Sequence, residues 1–274
     1  MNKKIEVKMK TPITYYGGKQ LMLRYILPLI PKHKIYVEPF FGGGAVFWGK
    51  EPAKIEFIND INAEVVNFYK VLKQRFNDLK REIDLTLHSE FQQKQARSIY
   101  RNLSGHCEVK RAWALWVLSH QSFYSNLNNS WKCSKSCSFG CQLQARKESF
   151  SEEYSRRLEH TSIFCRDALD VIRKADREDA FHYIDPPCYN ADMGHYGGYT
   201  LSDFEALLQL LSGLNGKFML SSYPSEMLTK YANLHRWKMI ELELPRSAGG
   251  GRKIEVLTMN YESDERSASC CEVA

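Results

Sequence analysis

Apolar residues along this chain follow two rhythms, and the order in which they appear predicts an α/β fold. Residues 34–38, Lys-Ile-Tyr-Val-Glu, form a short β-prone run. The turn Pro39-Phe40-Phe41-Gly42-Gly43-Gly44 follows, and residues 45–48 start a helix. A second strand is expected at 55–60, with Asp60 at its end, and an apolar helix at 21–30 precedes the whole unit. Strand, glycine turn, helix and strand in this order open a parallel, doubly wound sheet, in which ligands sit beyond the carboxyl ends of the strands. From 62 to about 120 the spacing turns helical, with Val65, Tyr69, Leu72 and Phe76, then Val109, Ala112, Trp113, Trp116 and Val117 on repeating faces. Residues 122–150 are rich in Ser, Asn, Lys and Cys, and Ser149 with Glu152 reads as the capping pair of a new helix.

The α/β rhythm resumes with a strand at 181–184, a helix capped by Ser202 and Glu205 and stopped near Gly213, and a strand at 217–221. Two β-rich runs at 237–244 and 254–261 are joined by too few residues for a crossover helix, so they are expected to pair as an antiparallel hairpin. The fold expected is a doubly wound α/β sheet with a terminal β-hairpin and an inserted, mainly helical region. Residues 1–64 and 151–262 would form the sheet domain, and 65–150 the insertion. The tail 263–274 has little to bury and is expected to be mobile.

Composition narrows the class. With 274 residues, 43% hydrophobic and 26% charged, the chain can bury a full core. No run approaches the roughly 18 apolar residues of a membrane span, and the basic start has no apolar stretch behind it, so no membrane is expected and a cytoplasmic location follows. Thirty-eight Lys and Arg against 32 Asp and Glu give +6, which suits a polyanionic partner without demanding one. The eight cysteines are expected as reduced thiols. Cys133, Cys137 and Cys141, spaced by four, lack the usual knuckle spacing, and no metal is expected.

Chemistry concentrates at Asp185-Pro186-Pro187-Cys188-Tyr189, directly after a strand. A rigid proline pair there holds a carboxylate and a peptide carbonyl at the sheet's carboxyl edge, and two acceptors suit an amino group. An aromatic exocyclic amine is a poor nucleophile because its lone pair is delocalised, and two acceptors gripping its hydrogens favour a pyramidal, reactive nitrogen. Taken alone, the tripeptide is equally a strand-ending turn. Gly42, Gly43 and Gly44 follow a strand as in a dinucleotide site, but Phe47 stands where a third glycine would be, which speaks against a nicotinamide enzyme. Asp60 is placed either to accept from ribose hydroxyls or to cap the helix that follows. Tyr15-Tyr16-Gly17-Gly18-Lys19 combines aromatic faces, a turn and a cation, with core packing as the alternative for the tyrosines.

These motifs, in this order across residues 11–261, resemble the Dam-like DNA adenine-N6 methyltransferases, which use S-adenosylmethionine. In that family a (W/Y)xGGK motif helps bind the cofactor and is similar to Tyr15, Gly17, Gly18 and Lys19, with the aromatic near the sulfonium. Glu38, Phe40, Gly42 and Gly44 match EPFxGxG, Asp60 matches the acid closing the second strand, and Asp167 is similar to the residue expected near the cofactor adenine. Asp185, Pro186 and Pro187 match the catalytic loop. Cys188 departs from it, since the family carries there an aromatic that stacks on the flipped adenine. The resemblance implies that Tyr189 takes that role, or that another ring such as Tyr196 or Tyr199 does, or that activity is weakened. It also implies double-stranded DNA as partner, a recognition role for the helical insertion, and functional pairing with a restriction endonuclease. Asn126, Asn128, Asn129 and Lys132 in the polar loop, and Arg252 beside the hairpin loop, are the DNA-contacting candidates. An N4-cytosine or RNA amino methyltransferase, or a catalytically weak DNA-binding relative, fits the same residues.

Overall fold

The computed structural model describes residues 7–15, 17–135, 138–189, 198–245 and 251–262. Tyr16, Cys137, Tyr196 and the tail 263–274, all singled out above, lie outside the described residues. In chain order the elements are α1 (Leu23–Ile26), β1 (Ile35–Glu38), α2 (Ala45–Gly49), β2 (Ile55–Asn59), α3 (Ala63–Gln74), α4 (Phe76–Asp84), α5 (Glu90–Arg101), α6 (Glu108–Gln121), α7 (Phe139–Glu148) and α8 (Glu153–Arg157). There follow β3 (Thr161–Phe164), α9 (Ala168–Ala175), β4 (Ala180–Ile184), α10 (Leu201–Ser212), β5 (Lys217–Ser222), α11 (Glu226–His235), β6 (Lys238–Pro245) and β7 (Arg252–Met259). The chain divides into two compact units: Met1–Lys10, Lys19–Ile61 and Ser162–Ala274 form the first, Thr11–Gly18 and Asn62–Thr161 the second.

The first unit is built on one seven-stranded sheet in the order β3-β2-β1-β4-β5-β7-β6. β1 pairs in parallel with β2 and β4, β4 with β5, while β7 runs antiparallel to both β5 and β6. The mixed α/β sheet and its terminal hairpin are those expected from the sequence. All residues of β1 and β4 are buried, as strands covered on both faces must be. α9, α10 and α11 close over the sheet through Ile172, Phe204, Leu207, Leu208, Leu211, Leu228 and Ala232, which meet Ile184, Phe218, Leu220 and Val256.

Several expectations are corrected. The helix at 21–30 is broken into a 3-10 turn, α1 and a second 3-10 turn, because Pro28 supplies no N–H to continue the ladder. Ser149 does not start a helix: it ends α7, its hydroxyl donating to the Arg146 carbonyl, and α8 begins at Glu153 with no side-chain cap. α10 is capped by Thr200, not Ser202. Its Oγ1 accepts from the Asp203 amide at 3.2 Å while the Asp203 carboxylate accepts from the Thr200 amide at 2.7 Å, a reciprocal capping box two residues upstream of the expected one. β3 went unread because an edge strand of four half-exposed residues carries no buried alternation.

In the second unit α6 is the central element. Its residues from Ala112 to Gln121 are all buried, and α3, α4 and α5 pack around it. Loop 122–132 is pinned to this helical scaffold. Gln93 of α5 donates to Ser122 Oγ at 3.0 Å and to the Asn129 carbonyl at 3.1 Å, and Arg97 also reaches the Asn129 carbonyl.

Candidate active site

The parallel strands deliver their carboxyl ends to one edge, where Glu38, Asp60 and Asp185 close β1, β2 and β4. After β1 the chain turns tightly. The Gly44 amide donates to the Phe41 carbonyl at 2.7 Å, and the Phe41 amide donates back to Asn59 of β2 at 2.9 Å. Gly44 has φ +65°, and a Cβ there would stand 2.4 Å from the Phe41 ring, so position 44 requires glycine. The Gly42 amide donates to Asp60 Oδ2 at 2.8 Å. Asp60 therefore shapes the glycine turn and does not cap a helix; α3 is capped by Asn62, whose Oδ1 accepts from the Glu64 amide. Glu38 is buried and accepts from the Tyr36 hydroxyl at 2.6 Å and the Phe47 amide at 3.2 Å. Burial outweighs these donors, and with the nearby Asp185 it pushes the Glu38 carboxyl up to about 8.

Asn59 was not legible as a site residue, yet it ties two loops of this edge together. Its Nδ2 donates to the Pro39 carbonyl at 2.9 Å and the Arg166 carbonyl at 3.0 Å, and its Oδ1 accepts from the Arg166 amide. Asp167, the next residue, caps α9 by accepting from the Leu169 amide at 2.8 Å.

Asp185 leaves β4 at the centre of the edge, its side chain 23% exposed. Lys19 Nζ lies 2.7 Å from its Oδ1 and 3.8 Å from Glu255 Oε1, and Lys253 Nζ lies 2.8 Å from that same Glu255 oxygen. Burial raises the Asp185 carboxyl above the usual aspartate range, and Lys19 works against that rise. For Lys19, burial lowers the ammonium, and the carboxylates of Asp185 and Glu255 more than reverse it, holding it protonated. Glu255 on β7 was not legible from the sequence, and Lys253, which flanks the hairpin loop as a candidate phosphate contact, is found paired with it beside Lys19 and Asp185.

The rings near this loop differ in freedom. Tyr189 packs 5.1 Å from Phe204, and Tyr199 stands edge-on to Phe40 at 6.2 Å, both against the core cluster under α10. Tyr223, at the end of β5, lines the same hollow as Pro186, Pro187 and Cys188, with Lys253 Nζ 5.5 Å above its ring. Cys188 is an exposed residue whose sulfur is partly desolvated, and this, with Lys19 opposing and Asp185 aiding, pushes the thiol up to about 11.

The motif at 15–19 is divided between the units. Tyr15, Gly17 and Gly18 belong to the second, where the Gly18 amide donates to the Tyr15 carbonyl at 3.0 Å and the Tyr15 hydroxyl accepts from Asn62 at 3.4 Å; Lys19 belongs to the first. In loop 122–132 the asparagines build the loop itself. Asn126 Oδ1 accepts from the Asn128 amide, and Asn129 Nδ2 donates to the Phe123 carbonyl. Tyr124 and Ser125 take φ of +54° and +56°, a left-handed bend that presents the exposed Phe123 and Tyr124 rings. Lys132 Nζ lies 5.1 Å over the Phe139 ring, and Arg252 of β7 pairs with Glu243 at 3.3 Å. Among the described residues no three His, Cys, Asp or Glu side chains are grouped to hold a metal, and no helix is long and apolar enough to cross a membrane.

The chain is 28% identical to the type II methyltransferase M.MjaIII of Methanocaldococcus jannaschii, over 93% of this chain and 100% of that protein. It is 25% identical to the type II methyltransferase M1.LlaDCHI of Lactococcus lactis subsp. cremoris, over 94% and 98%. It is 20% identical to the DNA adenine methylase of Salmonella typhi, over 91% and 94%. The family model for D12 class N6 adenine-specific DNA methyltransferases matches residues 15–243, spanning the glycine turn, the helical unit and the Asp185 loop. With the family model matching most of its length, the chain belongs to the D12 class of N6 adenine-specific DNA methyltransferases.

Proposed function

We propose that the protein transfers a methyl group from S-adenosylmethionine to N6 of adenine within a defined sequence of double-stranded DNA. The observation that carries this reading is Asp185, a carboxylate held at the carboxyl edge of β4 by Lys19 and followed by two prolines. Gly42, Gly44, Glu38 and Asp60 gather beyond the carboxyl ends of β1 and β2, where position 44 is closed over by the Phe41 ring and Asp60 accepts from the Gly42 amide, and this edge is the proposed place of the cofactor. Phe40, Tyr15, Gly17, Gly18 and Asp167 complete the proposed cofactor set. S-adenosylmethionine supplies an electrophilic methyl on a sulfonium, so no metal is needed.

Asp185 and the Pro186 carbonyl accept the two hydrogens of the adenine amino group, drawing its lone pair out of the ring and toward the donor. Pro187 fixes the backbone between them and Tyr189. Lys19 holds the Asp185 carboxylate in place, so positioning supplies much of the rate. Because N6 lies inside the stacked duplex, the base must leave it, and the second unit supplies the DNA contacts in this proposal, Phe123 and Tyr124 at the tip of a loop built by Asn126, Asn128 and Asn129 and flanked by Lys132. Arg252 adds a phosphate contact. Two relatives are named type II methyltransferases, and a cytoplasmic location with functional pairing to a restriction endonuclease is part of this proposal.

The test is incubation with labelled S-adenosylmethionine and unmethylated duplex DNA, followed by nucleoside mass analysis. N6-methyladenine is the expected product. N4-methylcytosine, or label in RNA alone, would overturn the reading.

Cys188 offers a second handle. Cys188→Tyr adds a π face directly beside Asp185, and base stacking is worth about 1–3 kcal/mol. The expected result is a rise of about tenfold in kcat/KM for DNA. A fall would mean that another ring already fills that space, Tyr189 and Tyr223 both lining the hollow beside Cys188.

A further inference from the structure

Asp185 belongs to an alternating row of four charges, and two of its members come from the closing hairpin. Lys19 Nζ stands between Asp185 Oδ1 at 2.7 Å and Glu255 Oε1 at 3.8 Å, and Lys253 Nζ meets that Glu255 oxygen at 2.8 Å. Glu255 is 2% exposed and takes a further long contact at 3.4 Å from the Ser221 hydroxyl of the neighbouring strand β5. A carboxylate so thoroughly buried is costly unless its charge is matched, and here it is matched by two lysines, one of them shared with Asp185. Neither a glutamate nor a lysine is needed to pair β7 with β5 or β6, since those ladders are made by the backbone. The row thus has a use beyond holding the sheet together.

We propose that Glu255 is a positioning residue for methyl transfer: it anchors Lys19 from behind and takes part of its charge, so that Lys19 fixes the Asp185 carboxylate without monopolising it as an acceptor. Lys253 pairs with the same Glu255 oxygen and sets how strongly it draws on Lys19. Without Glu255, less of the Lys19 charge is drawn away from Asp185, already 2.7 Å from its Oδ1, and the amino group of the base competes with a stronger ion pair. This inference rests on the assignment of Asp185 as the acceptor for the adenine amine.

The charged and titratable groups facing Asp185 define the expected signs. They are Lys19 ahead of α1, Glu38 on β1, Tyr183 on β4, Cys188 in its own loop, and Lys253 and Glu255 on β7. Asp185 acts as a carboxylate, so kcat/KM falls as pH drops through its titration in the free enzyme. Glu255 favours the protonated form of Asp185 and Lys253 disfavours it. Removing the negative charge with Glu255→Gln therefore moves the acid limb to lower pH, and removing the positive charge with Lys253→Met moves it to higher pH, each by about one unit.

The experiment measures single-turnover methylation of duplex DNA against pH for the full-length wild type, Glu255→Gln and Lys253→Met, with S-adenosylmethionine affinity measured by calorimetry. The expected result is a rate loss of about 10- to 100-fold for Glu255→Gln, cofactor affinity within threefold of wild type, and limbs displaced in opposite directions. A rate loss with neither limb displaced would reduce Glu255 to a structural residue, and limbs moving together, or an unchanged rate, would equally overturn the proposal. Should Glu255→Gln not accumulate as folded protein, Lys253→Met carries the test alone. Failure of the underlying reading looks different: wild-type protein would yield no N6-methyladenine, or Asp185→Ala would retain full activity.

Discussion

Replacing Asp185 with alanine or asparagine is expected to slow single-turnover methyl transfer by about 10²–10³-fold, the loss typical of removing one preorganised partner of a transition state. Alanine removes the acceptor outright. Asparagine keeps the shape but loses the negative charge and turns one acceptor into an NH2 donor, so Lys19, 2.7 Å from Oδ1, and the adenine amine meet one neutral oxygen where the carboxylate offers two charged ones. Both variants should therefore fail at the chemical step while cofactor affinity stays within a few-fold. That split is measured by quenched-flow methylation beside calorimetric binding. Equal losses in binding and rate would reassign Asp185 to cofactor binding. The wild-type rate carries its own signature, because burial raises the Asp185 carboxyl. Its active form is the anion, so the acid limb of kcat/KM should lie above the range of a free aspartate and activity should fade as pH drops through it.

Much of this edge was legible because its constraints are local. A glycine turn after a strand needs a left-handed residue at position 44, and a proline pair after β4 fixes where a carboxylate points, so short motifs carry both. The sheet followed from the same logic, since buried central strands and a short hairpin connection leave clear marks in the sequence. Elements lacking a contrast between faces went unread. α7 buries only Leu143, and β3 lies at the sheet's edge with no residue fully buried. Capping was misassigned by two residues at α10, because Ser202 and Thr200 both lie near an acid three residues on and only the backbone at Thr200 is extended. The least visible parts of the site are the residues that tertiary contact alone recruits. Asn59 ends a strand as many residues do, and Glu255 reads as an ordinary acid on an exposed hairpin until Lys19 and Lys253 are found against it.

Lys50 belongs to that hidden class, and its replacement by methionine is expected to destabilise the first unit by about 3–5 kcal/mol, the cost of stranding the partner of a buried ion pair. Lys50 follows α2 directly, and its side chain is 4% exposed; Glu56 on β2 is 2% exposed. Nζ lies 2.5 Å from Glu56 Oε1, 3.0 Å from the Glu51 carbonyl and 4.0 Å above the Tyr36 ring. Methionine removes the ammonium from the Glu56 carboxylate, which keeps the Ala53 amide, a neutral donor at 3.0 Å, among its contacts. Against a typical domain stability of 5–15 kcal/mol, that loss is a large fraction of the whole. It should also reach the proposed cofactor site, since Tyr36, on which Lys50 rests, donates its hydroxyl to Glu38, and Glu38 in turn accepts from the Phe47 amide of α2. The double variant Lys50→Met/Glu56→Met replaces the pair with apolar groups of similar length and removes the stranded charge, so its urea midpoint should lie well above that of Lys50→Met alone. A double variant no more stable than the single one would locate the value of Lys50 in its packing on Tyr36 instead of in its charge.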